Sequence, residues 1–132
     1  MTHQGLDHLA IAVADTEAAL AVWRDRLGFC VLYAEKVNND TVLLTHLDFG
    51  NTQLQLVQPL VPDSPLAKAV AERGPHLHHF CLRVADVAAS QAELNAAGIA
   101  TAANLHQGTQ GKRALFMDKA GTDTVQVEIT GK

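Results

Sequence analysis

Residues 7–16, DHLAIAVADT, and residues 78–87, HHFCLRVADV, are two versions of one segment. A constant offset of 71 positions carries His8 onto His79, Leu9 onto Phe80, Ile11 onto Leu82, Val13 onto Val84 and Asp15 onto Asp86. With 132 residues there is room for one compact domain but not for two separate cores, so two half-length units of the same plan must share it.

In each copy the bulky apolar residues alternate with residues of another kind. Leu9, Ile11 and Val13 alternate with His8, Ala10 and Ala12; Phe80, Leu82 and Val84 alternate with His79, Cys81 and Arg83. Period-two patterning predicts a strand with one face under a helix and a second face of different chemistry. Both histidines fall on that second face. Asp15 and Asp86 then stand as N-caps. Leu20, Trp23 and Leu27 recur at helical spacing before Gly28 ends the first helix, and the second runs from Asp86 to about Ala97 with Gly98 behind it. Three β-rich runs, 29–37, 41–50 and 52–60, follow the first helix and are separated by Asn- and Gly-containing turns. The second half repeats the plan with IATAANL, KRALFMD and TVQVEIT, separated by GTQG (108–111) and AGTD (120–123). Residues 61–76 break the β pattern, and Asp63 or Ser64 caps a short connecting helix that ends near Gly74 and Pro75.

The expected fold is α+β, with two tandem βαβββ modules (about 5–60 and 77–131) joined by the connector in one domain over 1–132. Its mixed or antiparallel sheet is expected to form a U around a metal-binding cleft.

The net charge of −4, with no basic run longer than Lys112–Arg113, excludes a nucleic-acid-binding face. No apolar run approaches the ~20 residues that span a bilayer. No basic region precedes the short apolar stretch after His8, as a signal peptide would require. Cys30 and Cys81 belong to no CxxC cluster and lie in apolar strand-like runs, so two reduced, mostly buried thiols in a cytoplasmic protein are expected.

The last strand of each half extends the parity argument. In TQLQLV, Leu54 and Leu56 make the bulky face and Gln53 and Gln55 the other; in TVQVEI, Val125, Val127 and Ile129 are opposed by Gln126 and Glu128. Taken singly, a strand histidine is more often structural and a strand Gln or Glu more often solvated. Four such residues at matched places in two copies are different. If an approximate two-fold relates the copies, His8, Gln55, His79 and Glu128 converge as a mixed N/O set suited to one divalent ion: Co²⁺, Mn²⁺, Ni²⁺ or Zn²⁺.

The paired units, with GLDHLAIAV (5–13), NTQLQLVQPL (51–60) and GPHLHHFCLRV (74–84), resemble the vicinal oxygen chelate superfamily over nearly the whole chain. PDSPLAKAVAERGPHLHH (62–79), GKRALFM (111–117) and VQVEI (125–129) are most similar to methylmalonyl-CoA epimerases. The resemblance implies His8, Gln55, His79 and Glu128 as metal ligands. It also implies a malonyl-type acyl-CoA or other thioester substrate, an enolate formed by removal of the α-proton, and a homodimer. Inverting the centre is simplest with two bases. Glu128 is one; the family's second glutamate falls on Asn38, whose amide cannot accept the proton. Asp40 is the carboxylate expected to replace it, with Glu35, His46, Asp48 and His106 as further candidates. Lys112 and Arg113 are expected to bind the substrate's carboxylate or CoA phosphate. Two alternatives share the fold: a glyoxalase I-like lyase acting on a thiol hemithioacetal, and a non-catalytic small-molecule binding or resistance protein.

Overall fold

The computed structural model describes residues 3–132. It divides into two compact units: one takes in the chain up to His8 together with His79–Lys132, the other is Leu9–His78. The division does not follow the halves of the sequence, because the opening residues belong with the second copy.

The Leu9–His78 unit contains the end of β1 (His3–Ala12), α1 (Thr16–Leu20), β2 (Val31–Val37), β3 (Val42–Asp48), β4 (Gln53–Pro59) and α2 (Pro65–Arg73). Its strands lie in the order β2-β3-β4-β1, and β2, β3 and β4 form the expected antiparallel meander. Asn38, Asn39 and Asp40 turn the chain between β2 and β3 at φ of 54°, 56° and 59°. Asn and Asp tolerate this left-handed region better than other non-glycine residues. Leu47, Leu54, Leu56 and Val13 pack under Leu20, Trp23, Phe29 and Phe49. The opposite face carries Ala10, Val37, Leu44 and Val57, with Leu66 of α2 against them. Gln58 pins α1 to β4, accepting at Oε1 from Thr16 N (2.9 Å) and Thr16 Oγ1 (2.7 Å).

The first helix departs from expectation. After Leu20 it widens into a π-helical turn, Ala21–Arg26, where Leu27 N bonds to Val22 O at 2.9 Å. The wider bonding moves Leu27 off the packed face, and it is 55% exposed. The connector helix forms as expected, with the Ser64 hydroxyl accepting from Ala67 N and Pro65 in its first turn.

The second unit contains the start of β1, most of β5 (His76–Val84), then α3 (Val87–Ala96), β6 (His106–Gln107), β7 (Arg113–Phe116) and β8 (Val127–Gly131). The order is β1-β5-β8-β7-β6. β5 and β8 run parallel, whereas β8/β7 and β7/β6 are antiparallel, so the sheet is mixed. Val84, Val87, Leu94, Leu115, Met117, Val127 and Ile129 form its core.

IATAANL (99–105) was expected to be a full strand; within it only an isolated Thr101–Met117 bridge forms, and the two-residue β6 follows it. Ala100, Ala102 and Ala103 have little to bury against a sheet, which is what strand preference rewards. Val125 lies ahead of β8 and is 48% exposed, so it is not part of the packed face. Cys81 is buried, but Cys30 is exposed, correcting the expectation for that residue; both are free thiols. No helix among the described residues is long and apolar enough to cross a membrane.

Ile129, fully buried in this core, and exposed Val125 should therefore respond oppositely to truncation. Ile129→Ala is expected to cost about 2–5 kcal/mol in urea unfolding and Val125→Ala less than about 0.5 kcal/mol; equal effects would contradict the register of β8.

Candidate active site

The site is built on the face of the second unit turned away from α3. Glu128, on β8, is in register with Cys81 of β5 on one side and Phe116 of β7 on the other. Its carboxylate is 8% exposed and meets three imidazoles. His8 Nε2 lies 3.4 Å from Oε1, His79 Nε2 3.3 Å from the same oxygen, and His106 Nε2 2.8 Å from Oε2. Phe116 braces two of them: His79 meets its ring edge-on with centroids 5.0 Å apart, and His106 stacks on it at 5.3 Å.

Behind His8 stands Asp7, with Oδ1 2.7 Å from His8 Nδ1 and Oδ2 3.4 Å from Arg83 Nε. The Nδ1–H is thereby held on the carboxylate side and Nε2 is aimed at Glu128. That nitrogen is buried and makes no hydrogen bond. One ligand atom from each of His8, His79 and Glu128 lies within 4.8 Å of the others, all three residues being buried. Two imidazole nitrogens and a carboxylate oxygen, one nitrogen of them orphaned, fit a divalent cation of the borderline kind. Asp7, His8 and Cys81 also come this close. Burial, and then the charges of Glu128 and Asp7, push the Cys81 thiol up, so it stays protonated and is the poorer donor.

The electrostatics follow from the same contacts. Burial works against ionisation of Glu128, but His106 foremost, then His79 and His8, hold its carboxyl well below the usual range. Burial would lower the pKa of His8; hydrogen bonding to Asp7 and the proximity of Glu128 raise it instead. Burial likewise opposes ionisation of Asp7, and is outweighed by His8, Lys112 and Arg83.

Gln55 lies in the Leu9–His78 unit, on β4, 3% exposed, and its amide nitrogen makes no hydrogen bond. Asp40 sits in the exposed turn between β2 and β3. Lys112 and Arg113 both line an open depression with Asp86, Gln110 and Lys132. By alternation with Ala114, Leu115 and Phe116, Lys112 falls on the Glu128 side and Arg113 on the other. Lys112 is one of the charges that hold the Asp7 carboxyl low.

Asp7 was invisible to sequence reasoning because it adjoins His8, and alternation assigns neighbours to opposite faces. Its side chain bends back to its neighbour's ring, which no periodicity signals. His106, considered as a base, stands instead against Glu128.

The profile of the Glyoxalase/Bleomycin resistance protein/Dioxygenase superfamily matches residues 7–116. Human mitochondrial methylmalonyl-CoA epimerase is 31% identical over 126 residues, covering 94% of this chain and 72% of that protein. An ethylmalonyl-CoA/methylmalonyl-CoA epimerase of Cereibacter sphaeroides is 33% identical over 128 residues, covering 94% and 95%. Among solved structures, methylmalonyl-CoA epimerase from Mycobacterium tuberculosis superposes with a TM-score of 0.88 at 30% identity, over 98% of this chain and 88% of that one.

The shifts set a pH dependence for the metal-free protein. Glu128, lowered from 4.5, contributes stability that is present above that pH and lost as pH falls through its folded value. His8, raised from 6.5, contributes stability that is present below that pH and lost as pH rises through its folded value. The urea midpoint should therefore fall on both sides of the interval from 4.5 to 6.5, and Glu128→Gln should flatten the acid limb. A midpoint unchanged between about pH 3 and pH 9 would contradict the assignment of these contacts.

Proposed function

Since the chain belongs to the glyoxalase/bleomycin resistance protein/dioxygenase superfamily and is methylmalonyl-CoA epimerase-like over most of its length, we propose that it inverts the α-carbon of methylmalonyl-CoA or a close acyl-CoA such as ethylmalonyl-CoA. The observation that carries this reading is the buried His8, His79 and Glu128 cluster, with an orphaned nitrogen and a shared carboxylate oxygen at its centre.

His8 and His79 through Nε2 and Glu128 through Oε1 would hold a divalent ion, of which Co²⁺, Mn²⁺, Ni²⁺ and Zn²⁺ suit the donors. Such an ion supplies positive charge that stabilises the enolate of a malonyl thioester. The chain's own groups prepare for this. Asp7 keeps the His8 proton on Nδ1, leaving Nε2 to donate its lone pair, as carboxylate–histidine pairs do at metal sites. His106 engages Oε2 of Glu128 and so orients Oε1 toward His8 and His79. Burial of all three ligating residues excludes water, which strengthens every charge interaction within. Glu128 is the proposed base on one side of the α-carbon, its carboxylate already ionised by its neighbours. Lys112 and Arg113, which line one depression, are the proposed cations for an anionic substrate.

The test is α-proton chemistry. Co²⁺-loaded protein and methylmalonyl-CoA in deuterated water should give α-deuteration with loss of optical activity by NMR; chelation should abolish it, and Glu128→Gln should slow it by about 10²-fold or more. His8→Ala should lose bound metal, measured by calorimetry. Turnover of a glutathione hemithioacetal without α-exchange in methylmalonyl-CoA would overturn this reading in favour of a lyase.

A further inference from the structure

The pattern that marks His8 as a ligand occurs a second time, at His76, the first residue of β5. His76 Nδ1 lies 2.7 Å from the carbonyl oxygen of Gly74, as His8 Nδ1 lies 2.7 Å from Asp7 Oδ1. A carbonyl oxygen can only accept, so the proton sits on Nδ1 and the Nε2 lone pair is left over. That nitrogen is buried and makes no hydrogen bond. A buried polar atom in this state is costly to a fold and calls for something that binds it. Histidines that ligate metals show the same division of labour, one ring nitrogen donating to a carbonyl or carboxylate and the other facing the ion.

The chain holds this donor in place through the end of the connector. Gly74 closes α2, its N–H bonding to Val70 O at 2.8 Å and its φ of 68° suiting glycine. Pro75 fixes the next φ, and the strand starts at once, which leaves the Gly74 carbonyl within reach of the ring two residues on. His78 follows at i+2. Alternation along β5 puts His76 and His78 on one face and Leu77 and His79 on the other. The rings of His76 and His78 lie 5.9 Å apart between centroids, tilted by 49°. With metal–nitrogen bonds of about 2.1 Å, two imidazoles on one ion hold their centroids about 5–6 Å apart. Both residues are half-buried, so an ion reaches them from solvent.

We propose that His76 and His78 form a second metal site, holding a borderline divalent cation such as Zn²⁺ between His76 Nε2 and a ring nitrogen of His78, with water completing the coordination. The proposal does not depend on the epimerase reading. Its donors are nitrogen only, and that sets its selectivity. Imidazole suits Zn²⁺, Ni²⁺ and Cu²⁺, whereas Mn²⁺ prefers oxygen and stands lowest in the affinity order of the divalent first-row metals. The set of His8, His79 and Glu128 includes a carboxylate and is open to Mn²⁺ as well, so the ion offered tells the two sites apart. A closed structural site takes four protein ligands; two ligands and water make an exchangeable one. Through the bond from His76 to the Gly74 carbonyl, the ion ties the end of α2 to the first residues of β5.

Calorimetric titration of the metal-free protein with Zn²⁺ and, separately, with Mn²⁺ tests this. Zn²⁺ is expected to bind at two sites per chain and Mn²⁺ at one. His76→Ala and His78→Ala should each weaken one Zn²⁺ equivalent by at least the ~10–100-fold that loss of an outer partner costs at a metal site, and leave the Mn²⁺ equivalent unchanged. His8→Ala should spare the Zn²⁺ equivalent that His76→Ala removes. In ring ¹⁵N NMR of the unaltered protein, His76 Nε2 should be unprotonated without metal and should shift on addition of Zn²⁺, with Nδ1 protonated throughout. Should His76→Ala fail to fold, His78→Ala and this spectrum decide the matter. Zn²⁺ binding unaffected by both His76→Ala and His78→Ala, or a protonated His76 Nε2 in the metal-free protein, would each overturn the assignment and leave the epimerase reading untouched.

Discussion

A carboxylate taken out of water must find positive charge or hydrogen-bond donors, and Glu128 finds three imidazoles. That requirement organises the second unit. β1 and β5 each deliver one histidine to the flank of β8, and β6, reduced to two residues, delivers the third. Phe116 fills the space that His79 and His106 would otherwise share with solvent, and Asp7 secures the far side of the His8 ring. Each support is apolar packing or a hydrogen bond to a group that touches Glu128, so the cluster stands or falls together. A polar centre of this kind is costly to a fold unless its members pair with one another.

Both units separate their tasks by the pleat of the sheet. One face of each carries the leucines, isoleucines and valines that meet a helix; the other carries histidines, glutamines and a glutamate. Since the side-chain period of a strand is two, a single slip of register would exchange these faces. In the second unit the parity runs unbroken from Phe116 through Glu128 to Cys81. In the Leu9–His78 unit it is changed once, at the bulge in β2, and that change brings Glu35 to His46. The same backbone device that sacrifices one rung of the ladder makes the second carboxylate–imidazole pair.

The resemblance to the vicinal oxygen chelate superfamily is borne out by the superfamily profile and by structural likeness across nearly the whole chain. Alternation was legible wherever strands were long and regular, as in β5 and β4. It failed at IATAANL, where small alanines offer no contrast between faces, and in the first helix, where a π-helical turn replaced the 3.6-residue period on which Leu27 depended. Cys30 was read as buried from its apolar neighbours, but it precedes β2 and faces solvent.

By itself the amino-acid order determined the duplicated plan, the helix caps at Asp15 and Asp86, and the side of its strand on which His8, His79, Gln55 and Glu128 each fall. These are local properties, set by repeats of two or 3.6 residues and by the chemistry of single side chains. Only the tertiary structure decided that the opening strand begins among the strands of the second copy, that Asp7 turns back onto His8, that His106 reaches Glu128 across 22 residues, and that a bulge delivers Glu35 to His46. Those outcomes depend on register and on contacts between distant segments, where a one-residue shift reverses the result and leaves no trace in composition or periodicity.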